Sequence, residues 1–249
     1  MFPPLSTEAT SKFYDALASG EEGRSLWGME KRFSPEVAIQ SPSFRSYFRD
    51  VLADLLDPSA KVIDVGCGTG MYHPVLAPLC GELTGVELSE KSAALARQSA
   101  EAYGLSGVSI AIQDSTQLAF PDGHFDAALC VDFLHHVFDL DAALRELARV
   151  VKPGGDIVVF EPNCLNPLLL LMCVLDRNEW AAASRCYRGK YERIFSRHFD
   201  RCEGQYNGLL IGPQGRLSLA LAEFMLESPL APLLRWMSPK LLFRMRNRA

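Results

Sequence analysis

The chain has 249 residues, 48% hydrophobic and 22% charged, which is ordinary globular composition and enough length for one domain with a cap. A net charge of −5, from 25 Lys and Arg against 30 Asp and Glu, disfavours general nucleic-acid binding, which needs a basic face. The seven cysteines are scattered and form no C-x-x-C pair, so no metal site and no disulfide framework are expected, and buried thiols in a reducing, cytoplasmic compartment are.

The opening MFPPLSTEAT has neither a basic n-region nor an apolar h-region, so no signal peptide is expected. Residues 6–19 predict a helix capped by Ser6 or Thr7, with Phe13, Tyr14 and Leu17 on its apolar face. Residues 20–42 are rich in Gly, Ser and Pro and read as irregular. Residues 43–56 predict a second helix, from Phe44, Tyr47, Phe48, Val51, Leu52 and Leu55 at helical spacing, closed by Asp57-Pro58. Strands then alternate with helices: strands at 61–65, 82–87, 108–113, 125–131 and 156–160, helices at 70–79, 89–103 and 133–151, and a turn at Lys152-Pro153-Gly154-Gly155. This alternation predicts an α/β fold with parallel βαβ units in one sheet and a ligand at the carboxyl ends of its strands.

Beyond the fifth strand the pattern changes. Residues 161–200 are helical and irregular, mixed apolar and basic, and 202–211 read as a sixth strand. Residues 217–226 and 230–237 predict helices, and 241–246 a last strand whose weak alternation suits a sheet edge. The longest apolar run, 168–175, is far short of the roughly 20 residues of a membrane span. It reads more readily as a cap helix than as a membrane contact, although peripheral contact stays open. After Glu227 the only charges are Arg235, Lys240, Arg244, Arg246 and Arg248, a solvated face or one that meets anionic lipid or a phosphorylated substrate. The divisions expected are an N-terminal helical cap (1–57), a nucleotide-binding core (58–161), and a helical insertion with C-terminal strands that complete the sheet (162–249).

The chemistry centres on Val62-Ile63-Asp64-Val65-Gly66-Cys67-Gly68-Thr69-Gly70. Strand, glycine turn and helix open a nucleotide-binding unit, in which glycines let the backbone turn sharply and approach a ligand. The spacing is G-x-G-x-G rather than the G-x-G-x-x-G of dinucleotide folds. Asp64, two residues before the first glycine, would repel a pyrophosphate and suits a ligand with an amine and a sulfonium. The stretch resembles the first motif of class I S-adenosylmethionine-dependent methyltransferases. Over residues 60–161 the likeness is to small-molecule enzymes related to those of quinone biosynthesis.

That resemblance implies a Rossmann-like, seven-stranded, mostly parallel sheet, with N-terminal helices and a helical insertion capping the cleft. It implies S-adenosyl-L-methionine as cofactor, S-adenosyl-L-homocysteine as product, and Asp64, Gly66, Cys67, Gly68 and Gly70 as the binding loop. Glu87 ends the second strand, where a carboxylate can accept both ribose hydroxyls, with Leu88 beside the adenine; its alternative is an exposed acid at a strand end. Asp114 would face the adenine amine with Ser115 beside it, or make only an Asx turn. Phe125 to Val131 resembles the fourth motif and places the Cys130 backbone near the methionine part. His135 and His136 offer a general base, His135 being the nearer to the strand end, and the competing reading is structural. Tyr14 covers the cofactor or is a core aromatic. His136, Glu161 and Asn163 are candidates to face the substrate.

The implied reaction is methyl transfer to O, N or C of a small, lipid-like or lipid-linked acceptor. An Asn-Pro-Pro-Tyr-type amine-methylating motif is absent where the chain reads Cys130-Val-Asp-Phe133. A non-catalytic cofactor-binding protein and an NAD-dependent oxidoreductase are the rival readings.

Overall fold

The structure is a computed structural model that describes residues 4–20, 52, 57–207 and 229–248. The helix expected over 43–56 (Leu52 apart), the irregular stretch over 20–42 (residue 20 apart) and the helix expected over 217–226 lie outside those residues.

Seven strands form one sheet in the order β3-β2-β1-β4-β5-β7-β6, with β1 Lys61–Val65, β2 Glu82–Glu87, β3 Val108–Ile112, β4 Phe125–Val131, β5 Val151–Pro162, β6 Phe199–Asn207 and β7 Lys240–Asn247. The first five run parallel, and β7 is antiparallel to both β5 and β6. The chain winds outward from β1 to β3 and then returns to β4, so the topological switch lies between β1 and β4, the place where sheets of this kind bind ligands at their strand ends.

Local chemistry explains most of the elements. Helix α1 (Thr7–Ala18) starts where the Ser6 side chain accepts the Ala9 N–H. The helix expected over 70–79 is instead α2 (His73–Leu76) followed by a 3-10 turn, Ala77–Leu79. Pro78 brings no N–H to continue the ladder and crowds the preceding turn. Helix α3 (Glu90–Ala102) is capped by Ser89, as its spacing predicts. The long helix expected after β4 divides into a 3-10 turn, Leu134–His136, and α4 (Leu140–Val150), which Asp139 caps. The Lys152–Gly155 turn is drawn into an extended β5, with a register shift against Phe125 and Ala127. Three cap helices follow: α5 (Pro167–Leu175), α6 (Trp180–Arg185) and α7 (Arg188–Phe195). A short α8 (Ala231–Leu234) precedes β7.

One expectation fails. Residues 241–246 read as an edge strand, but β7 lies inside the sheet between β5 and β6, and β6 is the edge. Leu241, Leu242, Phe243 and Met245 are all buried. Consecutive apolar residues of this kind mark a strand covered on both faces.

Alternation along the strands supplies two cores. Ile63, Cys130, Ile157, Val159 and Phe243 pack under α4 and the cap residues Tyr191 and Phe195. Val62, Leu83, Leu129, Val158, Phe160 and Leu242 pack against Met71, Tyr72, Val75 and Leu76. The sheet is thereby clamped between helices, and its strand ends are fixed in position.

Candidate active site

The loop after β1 folds over the end of β2: the N–H groups of Gly66 and Cys67 both donate to the Val86 carbonyl, at 2.8 and 3.1 Å. Gly66 has φ +76°, and a Cβ there would stand 2.2 Å from the Phe133 ring, so only glycine fits. Gly68, at φ +56°, faces open space where its Cβ would be. Its N–H donates to Glu87 Oε2 at 2.9 Å. The other oxygen, Oε1, accepts the N–H groups of Leu88 and Ser89, at 2.9 and 2.8 Å.

Glu87 is therefore a buried carboxylate aimed by three amides, and among the described residues no cation pairs with it. Burial pushes its pKa up, the three amides resist that, and the nearby Asp64 charge adds to it. Asp64 is buried one strand away, 3.2 Å from His73 Nε2. His73, the first residue of α2, was not a candidate on sequence grounds, and no motif marks it. Among the described residues its Nδ1 has no hydrogen-bond partner.

At the end of β3 the Gln113 N–H donates to the Glu87 carbonyl. Asp114 beside it accepts both the N–H and the hydroxyl of Thr116 at 2.8 Å, an Asx turn. The glycine loop, Glu87, Leu88, Asp114 and Ser115 thus line successive strand ends, where the sequence places them. Cys130, the residue before the last of β4, keeps its thiol in the core, its pKa pushed well up by burial.

The other side of the cleft differs. Glu161, at the end of β5, is 0% exposed. It accepts the N–H groups of Phe133 and Leu134 at 3.1 and 2.7 Å, the Tyr191 hydroxyl at 3.0 Å and His135 Nδ1–H at 2.7 Å. His135 Nε2 lies 3.2 Å from Glu179, in the 3-10 turn Arg177–Glu179. Burial alone would lower the His135 pKa, but Glu161 and Glu179 outweigh it and hold it up at about 10. With both ring nitrogens committed to carboxylates, His135 has no lone pair to accept a substrate proton. This removes it as a general base and supports the structural reading. His136 is the converse: burial and the charge on His135 hold its pKa down at about 4.

Glu161 and Asn163, expected to face the substrate, both point inward. Asn163 donates to the carbonyls of Trp236 and Ser238, at 2.8 and 2.7 Å, and pins the chain before β7. Tyr14 of α1 meets the His136 ring edge-on at 5.5 Å. The adjacent Asp15 accepts from the Ser89 hydroxyl at 2.6 Å and the Lys91 N–H at 3.2 Å. Helix α1 therefore spans the cleft from the end of β2 to the end of β4. Lys240, expected on a solvated or lipid-facing basic face, is instead buried and pairs with Asp132 where β4 leaves the sheet at φ +51°.

Comparison with known proteins agrees with this geometry. A family model described as a methyltransferase domain matches residues 63–159. The ubiquinone biosynthesis O-methyltransferase of Bordetella avium is 32% identical over 153 residues, 60% of this chain and 60% of that protein. The demethylmenaquinone methyltransferase of Bacillus licheniformis is 35% identical over 128 residues, 49% of this chain and 54% of that protein. A 2-methyl-6-phytyl-1,4-hydroquinone methyltransferase of Synechocystis is 37% identical over 111 residues, 44% of this chain and 34% of that protein. The chain thus spans at most 60% of the length of these curated relatives. Among solved structures, the [4+2]-cyclase SpnF matches all of this chain and 99% of its own, with a TM-score of 0.64 at 21% identity. The N-methyltransferase NodS of Bradyrhizobium japonicum, in complex with S-adenosyl-L-homocysteine, matches 95% of this chain and 98% of its own, with a TM-score of 0.59 at 17% identity. At those identities the two structures share the fold.

Proposed function

We propose that the chain, which matches a methyltransferase domain over residues 63–159, uses S-adenosyl-L-methionine to transfer a methyl group to a small, lipid-like acceptor of the quinol kind. One observation carries the cofactor half. Glu87 is a buried carboxylate with no cation against it among the described residues, held in place by Gly68, Leu88 and Ser89, beside the open space over Gly68. Its Oε2 accepts only one amide and keeps a lone pair, which a ribose hydroxyl of an adenosyl group fits. Asp64, 3.2 Å from His73 Nε2, and the open space over Gly68 add an acidic floor that suits a cationic amino acid portion.

When bound, S-adenosyl-L-methionine supplies an electrophilic methyl on a sulfonium. The chain's task is alignment: the loop and Glu87 fix one partner while the ends of β4 and β5 and helix α1 confine the other, and this positioning is a large share of such catalysis. His135 takes no proton in this scheme, so an acceptor oxygen that ionises readily, such as a phenol, is favoured over an aliphatic amine.

The acceptor class rests on two supports. The relatives above are named for ubiquinone, demethylmenaquinone and a phytyl hydroquinone. The cap also exposes Leu168 (67%), Leu171 and Leu175 along one face of α5, with Leu233 (72%) and Trp236 tied nearby through Asn166, which donates to the Met237 carbonyl. Among the described residues no helix is long and apolar enough to cross a membrane. A cytoplasmic protein that meets a membrane surface through this cap to reach a lipid-linked acceptor accounts for both.

The test is calorimetric titration with S-adenosyl-L-methionine, S-adenosyl-L-homocysteine and NAD, repeated on Asp64→Ala and Glu87→Ala. Binding of both adenosyl ligands, weakened at least about tenfold in Glu87→Ala through loss of charged hydrogen bonds, supports the reading. Binding of NAD alone would revive the oxidoreductase. Adenosyl binding without turnover of any quinol or phenol would favour a binding protein; a [4+2]-cyclase shares the fold, so fold alone does not decide.

A further inference from the structure

The cap side of the cleft contains a second constellation. His135 and His136, neighbours on the 3-10 turn after β4, hold their rings 3.9 Å apart between centroids, both beside the Glu179 carboxylate. His135 Nε2 is 3.2 Å from Glu179 Oε2, and His136 Nε2 is 3.8 Å from Glu179 Oε1. One donor atom from each residue lies within 4.8 Å of the other two. Donors around a four-coordinate zinc, at about 2.0 to 2.1 Å from the metal, stand about 3.3 Å apart, so modest side-chain adjustment closes the set.

We infer that His135, His136 and Glu179 form a binding site for a divalent transition-metal ion of the zinc type. Three further observations carry it. First, the outer arrangement is that of a metal-ligating histidine: His135 Nδ1–H donates to Glu161 at 2.7 Å, and Glu161 is itself fixed by two backbone amides and the Tyr191 hydroxyl. Second, the Glu161 and Glu179 carboxylates both lie against the one imidazole ring of His135, at 2.7 and 3.2 Å, in a buried region. A divalent ion at Nε2 adds positive charge between them, and a proton carried on Nε2 passes to solvent as the ion binds. Third, the side chains of His136 (11%) and Glu179 (16%) keep one edge of the cluster accessible, which leaves room for an exchangeable ligand. Two imidazoles and one carboxylate select zinc, cobalt or iron over magnesium, which prefers oxygen donors. The neighbouring trio His135, Glu161 and Cys186 is buried throughout and lacks that opening.

The site faces the acceptor side, next to Tyr14. Its role there, which rests on the methyl-transfer reading, is to hold an acceptor oxygen and favour its ionised form.

The experiment uses the whole chain, stripped with chelator and titrated with cobalt chloride. Expected is one equivalent of Co2+ with the visible absorption of a four- or five-coordinate ion, displaced by zinc. His136→Gln and Glu179→Gln should each weaken uptake at least about 100-fold, more than losing an outer-shell partner does. Circular dichroism on each variant separates ligand loss from unfolding. No stoichiometric uptake, unchanged uptake in both folded variants, or a thiolate-to-cobalt charge-transfer band would each overturn the assignment. S-Adenosyl-L-homocysteine titrated on the same samples keeps the two ideas apart: adenosyl binding without cobalt sinks the metal site alone, and cobalt binding without the adenosyl ligand sinks the methyl-transfer reading alone.

Discussion

Two glutamates end two strands of one sheet, and they live under opposite electrostatic terms. Glu87, at the end of β2, is held by backbone amides and burial pushes its pKa up. Glu161, at the end of β5, is also buried, but the charge on His135 and its hydrogen bond hold its pKa down. The first keeps unspent capacity for a ligand; the second is already satisfied by the protein. The cleft is thus asymmetric: its glycine-loop side is built to bind, and its cap side is built to stay folded until a cation or acceptor enters.

Breaking the satisfied side should cost most. Glu161→Gln leaves the His135 charge buried against one partner and should destabilise the fold by about 3 to 5 kcal/mol in denaturant titration. Glu87→Gln removes a buried charge but turns an NH2 group towards the Gly68 N–H or towards the Leu88 and Ser89 amides, and should cost less, about 1 to 3 kcal/mol. Equal losses from the two would erase the asymmetry.

The next contrast is pH. The folded His135 pKa, about 10, exceeds the ordinary 6.5, so its stabilisation is complete below 6.5 and is lost as pH rises towards 10. Glu161 is shifted the other way, and its contribution is lost only as pH falls below its ordinary 4.5. Metal-free protein should therefore be most stable between those limits, losing up to about 1.4 kcal/mol per pH unit above 6.5. In His135→Gln that alkaline slope should flatten; if wild type and variant run parallel from pH 6.5 to 10, the pair carries no net charge interaction.

On the glycine-loop side the sharper probe is Gly66→Ala. A Cβ 2.2 Å from the Phe133 ring, at φ +76°, forces the loop or the ring to move, at about 1 to 3 kcal/mol. Adenosyl affinity should fall with stability in this variant. Gly68→Ala, with open space at its Cβ and φ +56°, should lose affinity with a smaller loss of stability.

These pairs also show what a sequence can and cannot disclose. The strand Val62 to Val65, the glycine turn, Glu87 at a strand end and the Ser89 cap are written in consecutive residues, where period and turn chemistry are local. The His135–Glu161–Glu179 cluster joins residues up to 44 apart, and its members look like solvent-facing or catalytic candidates until the cap brings them together. No expected spacing links a His-His pair to an acid beyond the next strand, so neither the satisfied state of His135 nor the convergence on Glu179 was legible. The inward position of β7 was hidden for a similar reason: its second neighbour, β6, ends at Asn207, well before β7 begins at Lys240, and no local pattern pairs the two.

The smallest effect should come from the helix that joins the two sides. In α1, Asp15 accepts from Ser89 and Lys91 at the β2 end, while Tyr14 packs edge-on against His136 at the β4 end. Asp15→Ala removes acceptors at a helix start and should cost about 1 kcal/mol. Tyr14→Ala removes one aromatic contact, worth about 0.5 to 1.5 kcal/mol beyond its buried area. If α1 is a single lid over an asymmetric cleft, the two neighbours should divide kinetically. Asp15→Ala should weaken adenosyl binding a few-fold with little change in acceptor KM. Tyr14→Ala should raise acceptor KM a few-fold with adenosyl affinity nearly unchanged. Matched shifts in both constants for both variants would mean that α1 senses only overall stability. The division would then belong to the sheet ends alone, where Glu87 awaits a ligand and Glu161 already has its partner.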